Sequence, residues 1–123
     1  GHVAPGEHNA VNCSARAVLN VSRDSMAANG YSPATRVFEA AGAGACLITD
    51  AWDGVETFFA PGRELLVARD GGEVAALLEG LDEAQAREIG AAARERALAE
   101  HTYAQRAEDV ESLLSEASAG VRA

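Results

Sequence analysis

The chain has 123 residues, of which 48% are hydrophobic, and it carries 19 acidic and 10 basic side chains for a net charge of −9. This length and composition fit one modest domain with a real core and exclude an intrinsically disordered tail. Every base is an arginine, and binding along a nucleic-acid backbone needs a clustered basic face. The composition therefore argues against a DNA- or RNA-binding protein.

Five segments in the first part of the chain are predicted to be strands or loops. Residues 17–21, 45–49 and 64–68 are short apolar runs, which are typical of buried strands. Residues 1–15 and 22–32 are polar or turn-rich and are predicted to be loops.

A helix is predicted to begin in the stretch that follows the second of these loops. Ser32 is the expected N-cap, and Pro33 suits the first helical position. Val37, Phe38 and Ala41 give this helix an apolar face, and the glycines at 42 and 44 end it. A second, very short helix is expected at "VETFF".

The second half of the chain reads as helical from Asp70 onward. Asp82 and Gln85 resemble a capping box for a long helix over 83–100. Thr102 and Gln105 resemble a second capping box, for a last helix over 103–118. The apolar stripe along one face of this last helix is expected to consist of Ala107, Val110, Leu113, Leu114 and Ala117.

Alternation of short apolar strands with helices predicts an α/β fold, a Rossmann-like parallel sheet with flanking helices. Three strands make a narrow sheet. Either further strands pair in from residues 1–15, or the chain is the latter part of a larger doubly wound domain, and we favour the second interpretation.

Two cysteines, Cys13 and Cys46, lie far apart and form no CxxC motif. They indicate no disulfide framework, which favours a reducing compartment. No apolar run has the length of a membrane span and no signal-peptide pattern is present, so a cytoplasmic protein without a membrane span is expected. His2, Glu7 and His8 lack the spacing of a closed metal site, so no metal is expected.

Ligands of parallel α/β sheets bind outside the carboxyl ends of the strands, where the loop 22–32 is expected to lie. The amides near Ala34, Thr35 and Arg36 at the start of the following helix predict an anion site. Glu39 lies on the same side of that helix, and a carboxylate suits the vicinal hydroxyls of a ribose. The alternative is that Arg36 and Glu39 form an ordinary solvated ion pair.

Arg23 and Trp52 are also predicted near this edge of the sheet, because each follows a strand. Arg23 either lines the cleft or is a solvated loop charge. Trp52 either stacks on a ligand or packs over the end of the sheet, and we favour packing.

The segment "RVFEAAGAGACLITD" resembles the "EAMACGxPVIxx" segment of retaining (group 1) glycosyltransferases with the GT-B fold. Three blocks resemble the branch that includes CgeB-like spore-maturation proteins, and they occur in the right order. They are "AVLNVSRDSM", the run from Gly30 to Asp70, and "AEHTYAQRA". The likeness extends from about Gly1 to Leu114.

This resemblance implies a C-terminal nucleotide-sugar-binding domain that spans residues 1–123 and is the latter part of that domain. The helix start, with Ser32, Ala34, Thr35 and Arg36, would hold the diphosphate of the donor, and Arg36 would stabilise the leaving group. Glu39 occupies the place of the second glutamate in the family's E-x7-E motif, which binds the ribose. No cofactor is implied beyond the donor.

Two departures from the family pattern stand out. Tyr31 replaces the first glutamate, which would contact the donor sugar, and the family's basic pair facing the diphosphate does not occur in these residues. The acceptor would bind a missing N-terminal domain, so the isolated chain is expected to be inactive. The last helix resembles the family's tail helix, so its stripe is expected to be exposed and to favour a homodimer.

Two alternatives come from other functional classes. A noncatalytic α/β module that binds a nucleotide or a partner protein would use the same crevice. A receiver-type regulatory domain needs an acidic cluster at its first strand and a late lysine, and the sequence has no lysine.

Overall fold

A computed structural model describes residues 2–122 and, for Val121 and Arg122, only their backbone. Among these residues, seven α-helices and three strands follow a short 3-10 turn at Pro5–Glu7. The helices are α1 (His8–Ser14), α2 (Asp24–Asn29), α3 (Thr35–Gly42), α4 (Val55–Phe58), α5 (Gly71–Gly80), α6 (Glu83–Glu100) and α7 (Tyr103–Arg122). The strands are β1 (Val18–Asn20), β2 (Leu47–Asp50) and β3 (Leu66–Ala68).

The strands form one parallel sheet in the order β1-β2-β3. Leu47 is level with Val18, and Ile48 is level with Leu66, so the two pairs point to opposite faces of the sheet. Each face is covered by helices, which explains why β2 is apolar at successive positions. The predicted α/β fold with a parallel sheet and flanking helices is confirmed.

Small side chains bring α6 close to α3 and to the turn that follows it. Buried residues of α6 recur at helical spacing and face the core: Ala86, Gly90, Ala93 and Ala97. At Gly90 an added Cβ would lie 2.0 Å from the carbonyl oxygen of Gly44. The turn between α3 and β2 therefore lies directly against α6. The space between them leaves no room for a side chain at position 90.

The predicted caps of the two long helices are present. Asp82 accepts a hydrogen bond from the backbone N–H of Gln85, whose side chain accepts from the N–H of Asp82. Thr102 and Gln105 form the corresponding pair at the start of α7. These bonds satisfy amides that a helix start leaves without partners, so both boundaries follow from local sequence.

Two predicted loops are instead helical. Residues 1–15 include α1, and residues 22–32 include α2, so the loop predictions were wrong for most of both segments. Asp24 lies in the first turn of α2, where its negative charge interacts favourably with the helix dipole. The short lengths of α1 and α2 left too few turns for a periodic apolar pattern to show. No strand from residues 2–15 joins the sheet.

The predicted stripe of α7 is exposed. Val110, Leu113 and Leu114 expose 54–64% of their surface, and Tyr103 exposes 88%. None of the helices among residues 2–122 is both long and apolar enough to cross a membrane.

A ring cluster joins α3 and α4 to the junction between α6 and α7. The His101 ring lies 5.4 Å from the Phe38 ring and 5.2 Å from the Phe59 ring, between centroids. Its Nε2 donates to the carbonyl of Phe58 at 2.7 Å, and its Nδ1 accepts from the Arg106 guanidinium at 2.7 Å. Because a carbonyl only accepts and a guanidinium only donates, these partners select the neutral tautomer with the proton on Nε2.

Thiol labelling is expected to separate the two cysteines. Cys46 is 2% exposed, and burial raises the pKa of its thiol, whereas Cys13 is exposed. Because the thiolate is the reactive form, iodoacetamide should modify Cys13 in the native protein and Cys46 only after unfolding. Quantifying modified peptides with and without guanidinium checks this; equal labelling of both in the native state would contradict it.

The same burial predicts a change of stability with pH. The folded pKa of Cys46 lies above that of the unfolded chain, so its contribution is fully present below about pH 8.5, the pKa of a free thiol. It is lost as the pH rises through the folded pKa, since the unfolded state then releases the proton first. Between pH 7.5 and pH 10, the free energy of unfolding should fall less for Cys46→Ala than for the native protein. Denaturant titrations at the two pH values measure this difference.

Candidate functional site

Polar side chains at the carboxyl ends of β1 and β2 form a hydrogen-bonded network. The Thr49 hydroxyl accepts from Asn20 at 3.1 Å and from the Trp52 indole at 3.3 Å, and it donates to Asp50 at 3.2 Å. Asn20 and Thr49 are 1% and 0% exposed, and the hydroxyl uses both lone pairs and its proton. This satisfied network fixes the edge of the sheet at which ligands of parallel α/β folds bind.

Asp50 ties this edge to the segment after β1. Its Oδ1 accepts from the backbone N–H and the hydroxyl of Ser22, each at 3.1 Å. Sequence reasoning missed Asn20, Thr49 and Asp50 as a network. The available signal was that polar residues end two strands that the parallel register places side by side. Trp52 is buried and packs over the end of the sheet, as expected.

The start of α3 lies after this edge, and it differs from the prediction. The N-cap is Ala34, with φ −67° and ψ 149°, and no side chain caps the helix. Ser32 is therefore not the N-cap. The chain from Tyr31 to Ala34 is not helical, and the Tyr31 N–H donates to the Asp53 carbonyl at 2.6 Å.

The amides that open α3 are available to a ligand. Among the described residues, no acceptor is found for the N–H groups of Thr35 and Arg36. Alanine is a poor N-cap, so the sequence leaves unpaired donors that Ser or Asp would satisfy. Together with the helix dipole, these donors make a local positive potential.

Arg36 and Glu39 are exposed on α3 and do not pair with each other. Within residues 2–122, neither side chain makes a hydrogen bond or an ion pair. Val37, Ala40 and Ala41 are buried, so the core fixes the helix while Thr35, Arg36 and Glu39 remain exposed. The solvated ion pair is therefore not what the structure shows.

Tyr31 has an unusual backbone conformation. Among the described residues it is the only non-glycine residue with positive φ, at 51°. A left-handed conformation costs a residue with a Cβ atom about 1–2 kcal/mol. Tyr31 lies between Gly30, which ends α2, and the start of α3, and its side chain is 63% exposed.

Arg23 lies at the N-cap of α2, directly after β1 and Ser22. Its backbone carbonyl accepts from the N–H groups of Met26 and Ala27, and its side chain is exposed. The structure thus places Arg23 at the same edge of the sheet as Asp50, in the connection between β1 and α2.

A groove of about 610 Å³ lies elsewhere, between the chain leading into β3 and helices α5 and α6. Apolar side chains such as Leu66, Leu77 and Ile89 line it on the second face of the sheet. We place the candidate site at the strand ends instead, because the uncapped amides that open α3 lie there.

Comparisons with known proteins agree with this fold. The glycosyl transferase-like family matches residues 1–112. The structure is similar to sucrose-phosphate synthase from Thermosynechococcus elongatus, with a TM-score of 0.72 and 20% sequence identity. The match covers 89% of this chain and 27% of the synthase chain, so this chain spans about a quarter of that protein. No curated protein matches the sequence.

The structural likeness shows a domain of the GT-B fold, as the sequence predicted. The family match covers nearly the whole chain. The chain therefore belongs to the glycosyl transferase-like family.

Proposed function

We propose that this chain is the donor-binding part of a glycosyltransferase that transfers a sugar from a nucleotide-diphosphate donor. The observation that carries the proposal is the start of α3, where uncapped amides of Thr35 and Arg36 lie close in sequence to the unpaired Glu39. The amides and the guanidinium suit a diphosphate, and the carboxylate suits the ribose hydroxyls. Family membership supports the assignment.

Catalysis in this proposal is electrostatic. As the bond between the sugar carbon and the phosphate oxygen breaks, negative charge grows on the departing diphosphate. Arg36 and the amides at the start of α3 stabilise that charge, because they are oriented before the reaction begins. Glu39 positions the ribose and transfers no proton. Retention of anomeric configuration follows only from the resemblance to retaining enzymes.

The rest of the active site belongs to other parts of a longer protein in this proposal. An N-terminal domain supplies the acceptor site, residues 1–123 are the latter part of the C-terminal domain, and the isolated chain is inactive. The exposed stripe of α7 contacts that other domain or, in the isolated chain, a second copy. The resemblance of the three sequence blocks supports membership of the CgeB-like branch, and the cytoplasm is the working compartment in this proposal.

A noncatalytic nucleotide- or protein-binding module is the second candidate. Tyr31 favours it, since a tyrosine stands where the donor-sugar glutamate of the family is expected. The two candidates differ in turnover: only the enzyme hydrolyses or transfers the sugar of a bound donor.

Titration of the intact protein with UDP, GDP and ADP by calorimetry tests the proposal. We expect saturable binding of at least one nucleoside diphosphate and weaker binding of the matching monophosphate, because the diphosphate contacts the start of α3. In the longer protein of this proposal, binding without release of sugar from the corresponding nucleotide sugars would favour the noncatalytic module, whereas residues 1–123 alone are expected to release no sugar. No binding of any nucleotide would overturn the donor-site assignment.

Capping α3 with a carboxylate is expected to raise the stability of the protein and to weaken nucleotide binding. Ala34→Asp should raise the free energy of unfolding by about 1 kcal/mol, since Ala34 already has the extended backbone of a cap. The new carboxylate would occupy the amides and repel the diphosphate, so affinity for the nucleotide should fall roughly tenfold. Denaturant unfolding and calorimetry of the same variant measure the two effects.

Ala34→Asn is the matched control, because it caps without adding charge. It should gain similar stability and lose less affinity than Ala34→Asp. Equal affinity in all three proteins would show that the diphosphate does not contact these amides.

A further inference from the structure

The Tyr31 ring rests on the backbone of the turn after β2. A Cβ added at Gly54 would lie 2.3 Å from Cδ1, 2.6 Å from Cε1 and 2.8 Å from Cγ of Tyr31. Gly54 has φ +93°, a conformation that a residue with a Cβ rarely adopts. The position therefore needs glycine for two separate reasons, its conformation and the space that the ring occupies.

A second contact holds the backbone of Tyr31 to the same turn. Its N–H is bound to the Asp53 carbonyl, and a Cβ at the preceding Gly30 would lie 2.9 Å from Cβ of Asp53. The two loops thus approach each other closely enough to exclude a side chain from both glycines. The ring is fixed against the 53–54 backbone and still exposes most of its surface.

Exposure alone would not distinguish this tyrosine. Tyr103 is more exposed, at 88%, but it opens the regular helix α7 and has an ordinary helical backbone. Tyr31 combines exposure with a strained backbone and a glycine seat. Strain of this kind persists where the surrounding structure enforces it, and it is concentrated at binding sites.

We infer that the Tyr31 ring, seated on Gly54, is a stacking platform for the sugar ring of the donor. The inference rests on the proposed function and adds to it. The apolar C–H face of a pyranose packs against the exposed face of the phenol, so recognition at this position depends on ring stacking. A carboxylate at the same position would instead accept hydrogen bonds from the sugar hydroxyls.

The order of groups along a nucleotide sugar assigns the sugar to Tyr31. The base and ribose lie on one side of the diphosphate, and the sugar lies on the other. With the diphosphate at the amides of Thr35 and Arg36, Glu39 follows them in the helix and takes the ribose. Tyr31 precedes them on the chain and meets the group at the opposite end of the diphosphate.

Paired titrations of the intact protein with UDP and UDP-glucose, and with GDP and GDP-mannose, test the platform. The relevant quantity is the ratio of the two affinities within whichever pair binds. Tyr31→Ala should lower affinity for the nucleotide sugar roughly tenfold while affinity for the bare diphosphate changes less than about twofold. Tyr31→Phe keeps the ring and should stay within about threefold of the native protein for both ligands.

Gly54→Ala is the second variant, because its methyl group would displace the ring without altering the phenol. It should reproduce the selective loss, provided that thermal denaturation confirms a folded protein. Tyr103→Ala is the matched control and should change neither affinity. Equal weakening of both ligands by Tyr31→Ala, or no weakening of either, would overturn the platform while leaving the donor site intact. Failure of every nucleotide to bind the native protein would instead overturn the proposed function.

Discussion

Gly90→Ala should destabilise the domain by about 3 kcal/mol, the upper end of the usual range for an overpacked core. The added methyl group would lie 2.0 Å from the carbonyl oxygen of Gly44 and 2.8 Å from its carbonyl carbon. Both are backbone atoms, so no side-chain rotation relieves the overlap. Helix α6 and the turn between α3 and β2 must move apart, which opens gaps around Ala86 and Ala93.

Thermal and denaturant unfolding measure this effect. For a domain of this size, a loss of 3 kcal/mol corresponds to a fall in Tm of roughly 10–15 °C. Gly80→Ala is the matched control: Gly80 ends α5, and a Cβ there meets nothing within 4 Å. It should leave stability unchanged or raise it by up to about 1 kcal/mol. Similar unfolding curves for the two variants would contradict the close packing of α6.

Glu39→Ala should weaken binding of a nucleoside diphosphate by roughly 10- to 100-fold. The expected loss is that of hydrogen bonds from ribose hydroxyls to a charged acceptor, about 1.5–3 kcal/mol. Stability should change little, because Glu39 is exposed and makes no contact with another charged side chain of the described residues. Calorimetry of the intact protein, with circular dichroism as a check on folding, measures both quantities.

Two further variants make this result specific. Glu79→Ala removes the same charge from an exposed position on α5 and should bind nucleotide as the native protein does. The corresponding 2′-deoxyribonucleotide should bind the native protein more weakly and should distinguish little between native protein and Glu39→Ala. If Glu39→Ala binds as tightly as Glu79→Ala, the ribose does not contact this carboxylate.

Much of the fold was predictable from local chemistry. The three strands fall on the predicted apolar runs, although each is shorter than the run, and the capping boxes at Asp82 and Thr102 mark the starts of α6 and α7. Helices α1 and α2 were missed, because six or seven residues show too little periodicity to stand out from a polar loop.

The candidate site was predictable in position but not in detail. Parallel strands direct their carboxyl ends to one edge, so the region of α3 followed from the strand order. The non-helical residues before α3 are tied to the turn after β2 by a long-range bond between Tyr31 and Asp53, which no local pattern reveals. The contact between the Tyr31 ring and Gly54 likewise joins two loops that are distant in sequence.

The ring cluster around His101 has a mechanical consequence. Phe38 precedes Glu39 in α3, and its ring shares the cluster with His101, whose other nitrogen is held by Arg106 of α7. A change in the angle between α6 and α7 would therefore require these rings to move relative to one another. A domain or ligand bound to α7 would therefore be coupled through these rings to Phe38, which directly precedes Glu39 in α3.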